Sequence, residues 1–188
     1  MNTPYAKLTK GTLLIASPDL DTGMYFRGVI LLCEHGPTGS FGILVNKLLD
    51  IEIPDEVINL KDISNPHVQV YAGGALQPNQ MMMLHSFEQL PDQTLQVCPG
   101  VFLGGDLQFL QQAVAEEEGP SIRLCFGYCG WGPGQLEKEF LSGLWFVHPG
   151  TAQYIFNTPP NKLWRTLLRD MGGKYAVLST IPDDLSLN

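Results

Sequence analysis

Two apolar runs stand six residues apart, FRGVILLCE at 26–34 and FGILVNK at 41–47. The spacer between them, HGPTGS, is composed of turn formers. Strand-like runs joined by such a spacer form a β-hairpin, and a hairpin commits its strands to antiparallel pairing. An earlier run, GTLLIAS at 11–17, is stopped by Pro18. Later ones are VQVYAGG from Val68, MMMLHSF, the broken LQVCPGVFLGG, SIRLCFGY and the short LWFVH. Strands are expected near 12–17, 26–34, 41–47, 68–72, 81–85 and 121–128.

Three segments read as helices, near 106–118, 135–142 and 161–171. Asp106 is an N-cap for the first, Leu107, Leu110, Ala113 and Val114 recur at helical spacing, and Gly119 ends it. The third carries Leu163, Trp164, Leu167 and Leu168 on one face and is closed by Gly172-Gly173. A single helical turn is expected after Pro54. Strands and helices follow no regular βαβ alternation, which argues against a doubly wound sheet. The expected class is α+β with mostly antiparallel strands. At 188 residues, 44% hydrophobic and without a linker or repeat, the chain is expected to be one domain, 1–188.

The formal net charge of −8 repels nucleic acid and anionic lipid, and the eleven Lys and Arg form no basic run. Direct binding to nucleic acid is not expected, nor is a membrane association. No apolar stretch nears the roughly 20 residues of a membrane helix. The run Leu13 to Ala16 is too short for a leader, so the chain is expected to be cytoplasmic, with Cys33, Cys98, Cys125 and Cys129 as reduced thiols.

The stretch GYCGWGPGQLEKEF at 127–140 sets two aromatics and a thiol among glycines. It is not G-x-G-x-x-G, and Glu137 and Glu139 compete with any phosphate at the helix that follows. It reads as a corner: Gly127 and Gly130 turn the chain, Tyr128 and Trp131 cover the turn, and Leu136, Phe140 and Leu141 dock the helix. The other reading is a binding groove floored by the glycines, with Cys129 exposed. Cys125 and Cys129 would lie on one face of an extended strand roughly 13 Å apart, too far for a disulfide unless the chain turns between them. His35, His67, His85 and His148 show no metal-ligand spacing. There is no G-x-S-x-G and no P-loop. Neither a metal nor a cofactor is expected.

In order and at their separations, KGTLLIASPDL, FRGVILLCEH, GSFGILVNK, VYAGGALQPNQMMMLHS, PGVFLGGDLQFL and RLCFGYCGWGPGQLEKEFLSGLWFVHP resemble the YqgE/AlgH family of bacterial proteins nearly end to end. The matching motif positions are Asn46, Gly73, Gly74, Gly104, Gly105, Gly127, Tyr128, Gly130, Trp131, Gln135, Leu136 and Glu137. This chain departs from the pattern at Leu48 and Ala75, where the family has proline, and at Cys129, where it commonly has alanine. The resemblance implies an α+β fold whose branched, mainly antiparallel sheet curls into a pseudo-barrel with helices packed outside. It brings a transcriptional-regulator label but no established reaction, cofactor or catalytic set.

Two functional readings stand. The first is a non-catalytic regulatory or binding module whose partner is another protein. The second is an enzyme or small-ligand binder with a loop-built site, for which His35, Asn46, His85, Cys129 and Trp131 are candidates. A groove along the family motif would add Gly73 and Gly74.

Overall fold

The computed structural model describes residues 7–21, 23–49, 66–88 and 94–182; the helical turn expected after Pro54 lies outside them. The strands are β1 (Thr12–Ala16), β2 (Val29–Gly36), β3 (Gly39–Leu44), β4 (Val68–Ala72), β5 (Leu76–His85), β6 (Leu95–Cys98), β7 (Val101–Leu103), β8 (Ile122–Trp131) and β9 (Trp145–Pro149). The helices are α1 (Leu107–Ala115), α2 (Gln135–Leu141), α3 (Pro160–Met171) and α4 (Gly173–Leu178), with a π-helical turn at Gln153–Asn157. All strands join one sheet, in the order β6-β7-β5-β8-β3-β2-β1-β9, while β4 pairs with β8 off that path.

The expected hairpin is β2–β3, and it is tighter than its spacer implied: His35 pairs with Ser40 and Gly36 with Gly39. β1 and the first five residues of β2 are buried on both faces, which is why their sequences read as unbroken apolar runs rather than alternating ones. Leu13, Ile15, Leu31 and Cys33 pack toward α3, which presents Leu163, Trp164, Leu167 and Leu168. Leu14, Ala16, Ile30 and Leu32 belong to a second cluster with Cys129, Trp131, Leu136 and Trp145. Each fully buried leucine contributes about 1.5–3 kcal/mol. A third cluster lies under α1, where Phe109, Leu110, Ala113 and Val114 cover Met83, Ile122 and Leu124. The expected N-cap is present, with Asp106 accepting from the Phe109 N–H at 2.7 Å.

The sheet branches along β8. β4 pairs parallel with Ile122–Phe126, and β5 pairs antiparallel with the same residues. The two must therefore lie on opposite edges of β8, and residues 73–75 between them have to cross it. The crossing leaves no room for side chains. A Cβ on Gly73 would sit 2.3 Å from the Gly127 carbonyl oxygen, and one on Gly74 2.1 Å from the Tyr128 carbonyl carbon. Gly127 takes φ +76°, which glycine adopts without strain. Beyond the crossing, β8 pairs with β3 through Cys129, Gly130 and Trp131.

Three expectations change here. The glycine-rich stretch is not a corner after residue 128, because β8 continues through Trp131 and the turn comes only at 132–134. Gly127 admits a second backbone, that of Gly74, while a Cβ on Gly130 would meet the Leu76 side chain. Gly130 itself has no positive φ. Cys125 and Cys129, expected on one face, instead join clusters on opposite sides of the sheet, with the left-handed Gly127 between them. After α3 closes at Gly172, α4 follows at once.

The sheet curls until its terminal strands β6 and β9 come close. Gly150 N–H donates to the Gly11 carbonyl at 2.8 Å. A Cβ on Gly11 would lie 2.7 Å from the Val97 oxygen, and one on Gly150 would lie 3.4 Å from Cys98 Sγ. This seam is where the pseudo-barrel nearly closes.

Candidate functional site

Two recesses carry chemistry. The first is built around the family motif. The end of β8 supplies Trp131, the start of β9 supplies Trp145, the turn before β2 supplies Tyr25, and α2 supplies Gln135 and Glu139. With Leu20, Cys129, Gly130 and Leu144 they line a recess of about 230 Å³. Both indoles donate to Glu139 Oε2, Trp131 at 2.9 Å and Trp145 at 2.8 Å. Gln135 Nε2 donates to Glu139 Oε1 at 3.0 Å, and Gln135 Oε1 accepts from the Gly132 N–H at 3.1 Å. The glutamate thus locks three elements together. The Trp131 and Trp145 rings stand edge-on at 84°, and the Tyr25 and Trp145 rings at 79°.

Cys129 forms the inner wall. The groove reading expects an exposed Cys129, but its side chain is buried at 3%. Its Sγ donates to the Gly73 carbonyl at 3.5 Å. Burial pushes the thiol up to about 11, and burial with the adjacent Cys129 pushes the Tyr25 hydroxyl up to about 12. Both are protonated at neutral pH, so neither is a ready nucleophile or base.

The remaining candidates lie elsewhere. His35 Nδ1 lies 2.7 Å from Ser40 Oγ, and its Nε2 is 3.8 Å from Glu137 Oε1 on α2. The residue sits near the motif but lines neither recess. Asn46 is a structural clamp: Oδ1 accepts from Val29 N–H at 2.8 Å, and Nδ2 donates to the Arg27 carbonyl at 2.9 Å. It braces Arg27, a non-glycine residue at φ 52°. Gly73 and Gly74 make the crossing over β8. His85 is fully buried beside Phe102 and Phe109, and burial lowers its pKa to about 4. Its Nδ1 accepts from the Phe87 N–H, while Nε2 has no hydrogen-bond partner among the described residues.

The second recess is a groove of about 590 Å³ at the seam. Val97, Cys98 and Pro99 form one wall, Val147, His148, Pro149 and Gly150 the other, and Lys7, Thr9, Lys10, Gly11 and Thr12 the end. Both lysines are exposed. Among the described residues no carboxylate lines the groove, although the chain carries nineteen Asp and Glu. Among the described residues, no three His, Cys, Asp or Glu side chains converge as metal ligands.

The sequence profile of the AlgH-like family matches residues 13–176. The chain belongs to the AlgH-like family. A UPF0301 protein of Chlamydia pneumoniae is 55% identical over 188 residues, the full length of both chains. A UPF0301 protein of Chlorobium luteolum is 32% identical, covering 98% of this chain and 97% of its own. The solution structure of the AlgH protein from Pseudomonas aeruginosa superposes with a TM-score of 0.72 at 23% identity, covering 98% of this chain and all of that one. A crystal structure of a Corynebacterium diphtheriae protein gives the same TM-score and identity over 96% and 94% of the two chains. The AlgH-like fold, a curled antiparallel sheet with helices outside, is thereby shown.

Within that fold the sequence reading missed Tyr25, Glu139 and Trp145 as partners of Trp131, and it missed the seam groove. Trp131, Glu139 and Trp145 meet through β8, α2 and β9, a contact without a periodic signature. The groove joins residues from opposite ends of the sheet order.

Proposed function

We propose that this AlgH-like protein is a non-catalytic binding module that captures another protein by taking an extended acidic segment into the seam groove. The observation that supports it is the lining: two exposed lysines and a histidine, no carboxylate among the described residues, apolar walls, and the sheet's two terminal strands at its sides. Terminal strands offer backbone donors and acceptors to an added strand. In a chain of net charge −8, an acid-free groove favours a negatively charged guest locally. The protonated state of Tyr25 and Cys129 supports a non-catalytic role at the motif recess. Four unpaired cysteines accord with a cytoplasmic setting, and no described helix is long and apolar enough to cross a membrane.

The reading is tested by titrating extended acidic and basic peptides while following backbone amide resonances. Acidic peptides are expected to shift the amides of Val97, Cys98, Val147, His148 and Gly150 and to bind roughly tenfold more weakly to Lys7→Glu/Lys10→Glu. Binding that leaves those amides unmoved, or is indifferent to the lysines, would overturn it.

A further inference from the structure

The motif recess supports a second site, independent of the groove. We propose that Tyr25, Trp131, Trp145 and Glu139 form a binding site for an alkylated ammonium group, the shared chemistry of a methylated lysine side chain and a choline-type headgroup.

Three observations carry it. First, the walls are aromatic and set at near right angles, 6.3 Å between the Trp131 and Trp145 centroids and 6.4 Å between Tyr25 and Trp145. Perpendicular rings turn faces and edges toward a common corner, and the electron-rich face of an aromatic ring attracts a cation. Second, the polar group in the recess that bears a formal charge is a carboxylate. Glu139 accepts from three neutral donors and, among the described residues, pairs with no Lys, Arg or His. Neutral N–H groups fix its position but leave its charge uncancelled, so the recess favours cations and disfavours phosphates and carboxylates. Third, Leu20 and Leu144 add apolar surface and Gly130 contributes no side chain, leaving about 230 Å³. That space suits a trimethylammonium group and is small for a nucleotide or a folded partner.

A glutamate serving only to pin two indoles would produce the same hydrogen bonds, so the test separates pinning from charge. Tetramethylammonium, choline and acetyl-trimethyllysine amide are titrated against the full chain, with 3,3-dimethylbutanol as the neutral isostere of choline. The readout is the pair of indole Nε1–H resonances of Trp131 and Trp145. All three cations are expected to shift both resonances saturably, and the isostere to bind at least roughly tenfold more weakly. Glu139→Gln keeps an oxygen for the indoles and removes the charge. It is expected to weaken cation binding about tenfold and leave the alcohol unaffected. Tighter binding of trimethyllysine than of choline supports the site with a protein source, and the reverse order supports it with a small-molecule source. Equal binding of the isostere and the cations to the wild-type chain would overturn the proposal even were the variant not to fold. So would the absence of any saturable indole shift.

Discussion

Trp131 and Trp145 donate to a single oxygen, Glu139 Oε2, from two strands on opposite sides of α2 in sequence. Both indole side chains are largely buried, so an N–H that loses the carboxylate is left with only the water the recess admits. Glu139→Ala is expected to cost about 2–6 kcal/mol, on the order of 1–3 for each of the two donors left unsatisfied. Glu139→Gln should retain most of that stability. Urea unfolding of the two variants measures the difference, and an alanine variant as stable as the parent would remove the pin from the account.

The crossing over β8 makes a sharper stability prediction. Gly74→Ala places a carbon within 2.2 Å of the Tyr128 backbone, which no rotamer relieves. A loss of more than about 3 kcal/mol, or failure to fold, is expected. Gly134, the N-cap of α2 at φ +72°, is the control, since a Cβ there meets nothing within 4 Å. Gly134→Ala should cost only about 1–2 kcal/mol of backbone strain. Comparable losses at both sites would show that steric crossing is not what selects glycine.

The thiols predict an alkaline limit to stability. Burial raises Cys98 and Cys129 to about 11 and Cys125 to about 12, above their unfolded value of 9.0. A raised acid favours the protonated folded state, so its contribution is intact below pH 9 and is lost as pH rises from there toward the folded values. The melting temperature should fall above pH 9, and native alkylation at pH 7 should be slow until urea opens the fold. Rapid labelling of Cys129 in the native protein would contradict its burial.

His85 sets the acid side. Its folded pKa of about 4 lies below its unfolded 6.5, so the neutral ring is the folded form. Its contribution is intact above pH 6.5 and is lost as pH falls toward 4, by up to about 3 kcal/mol. His85→Leu should flatten the stability profile between pH 6.5 and 4. An unchanged slope would assign acid unfolding to other groups.

Duplex DNA is expected to stay unbound at physiological salt. The charge of −8 opposes it, and the two lysines of the seam groove are too few for a phosphate track. A gel shift of submicromolar affinity that survives competitor DNA would reverse this expectation.

The strands were legible where burial is two-sided or continuous. Leu13 to Ala16 and Val29 to Cys33 announce themselves because every position faces a core. α1 and α3 were legible because Asp106 caps one and Leu163, Trp164, Leu167 and Leu168 stripe the other. The extension of β8 through Gly130 was not, because Gly127 answers to Gly74 and Gly130 to the Leu76 side chain, both remote in sequence. The parallel β4–β8 pair was hidden for the same reason. At the site, Cys129 and Trp131 stood out in the motif, while Tyr25 and Trp145 reach them only through tertiary packing. His85 and Asn46 look chemical in sequence because polar groups in apolar runs attract notice. In the fold Asn46 closes a backbone turn, and His85 is a neutral ring in a core.

The passage of residues 73–75 over β8 also orders events in time. β4 and β5 form two sides of a clasp whose occupant, residues 122–126 of β8, leaves the ribosome after both. A nascent chain holding only the clasp has an empty slot where its central strand belongs, with Tyr71 and Leu84 uncovered by Cys125. Non-local pairing of this kind is slow and exposes aggregation-prone edges while it waits. Chains truncated before residue 122 should therefore collect as insoluble or chaperone-bound material, and the sheet should form in one late step once β8 has slid beneath the glycines.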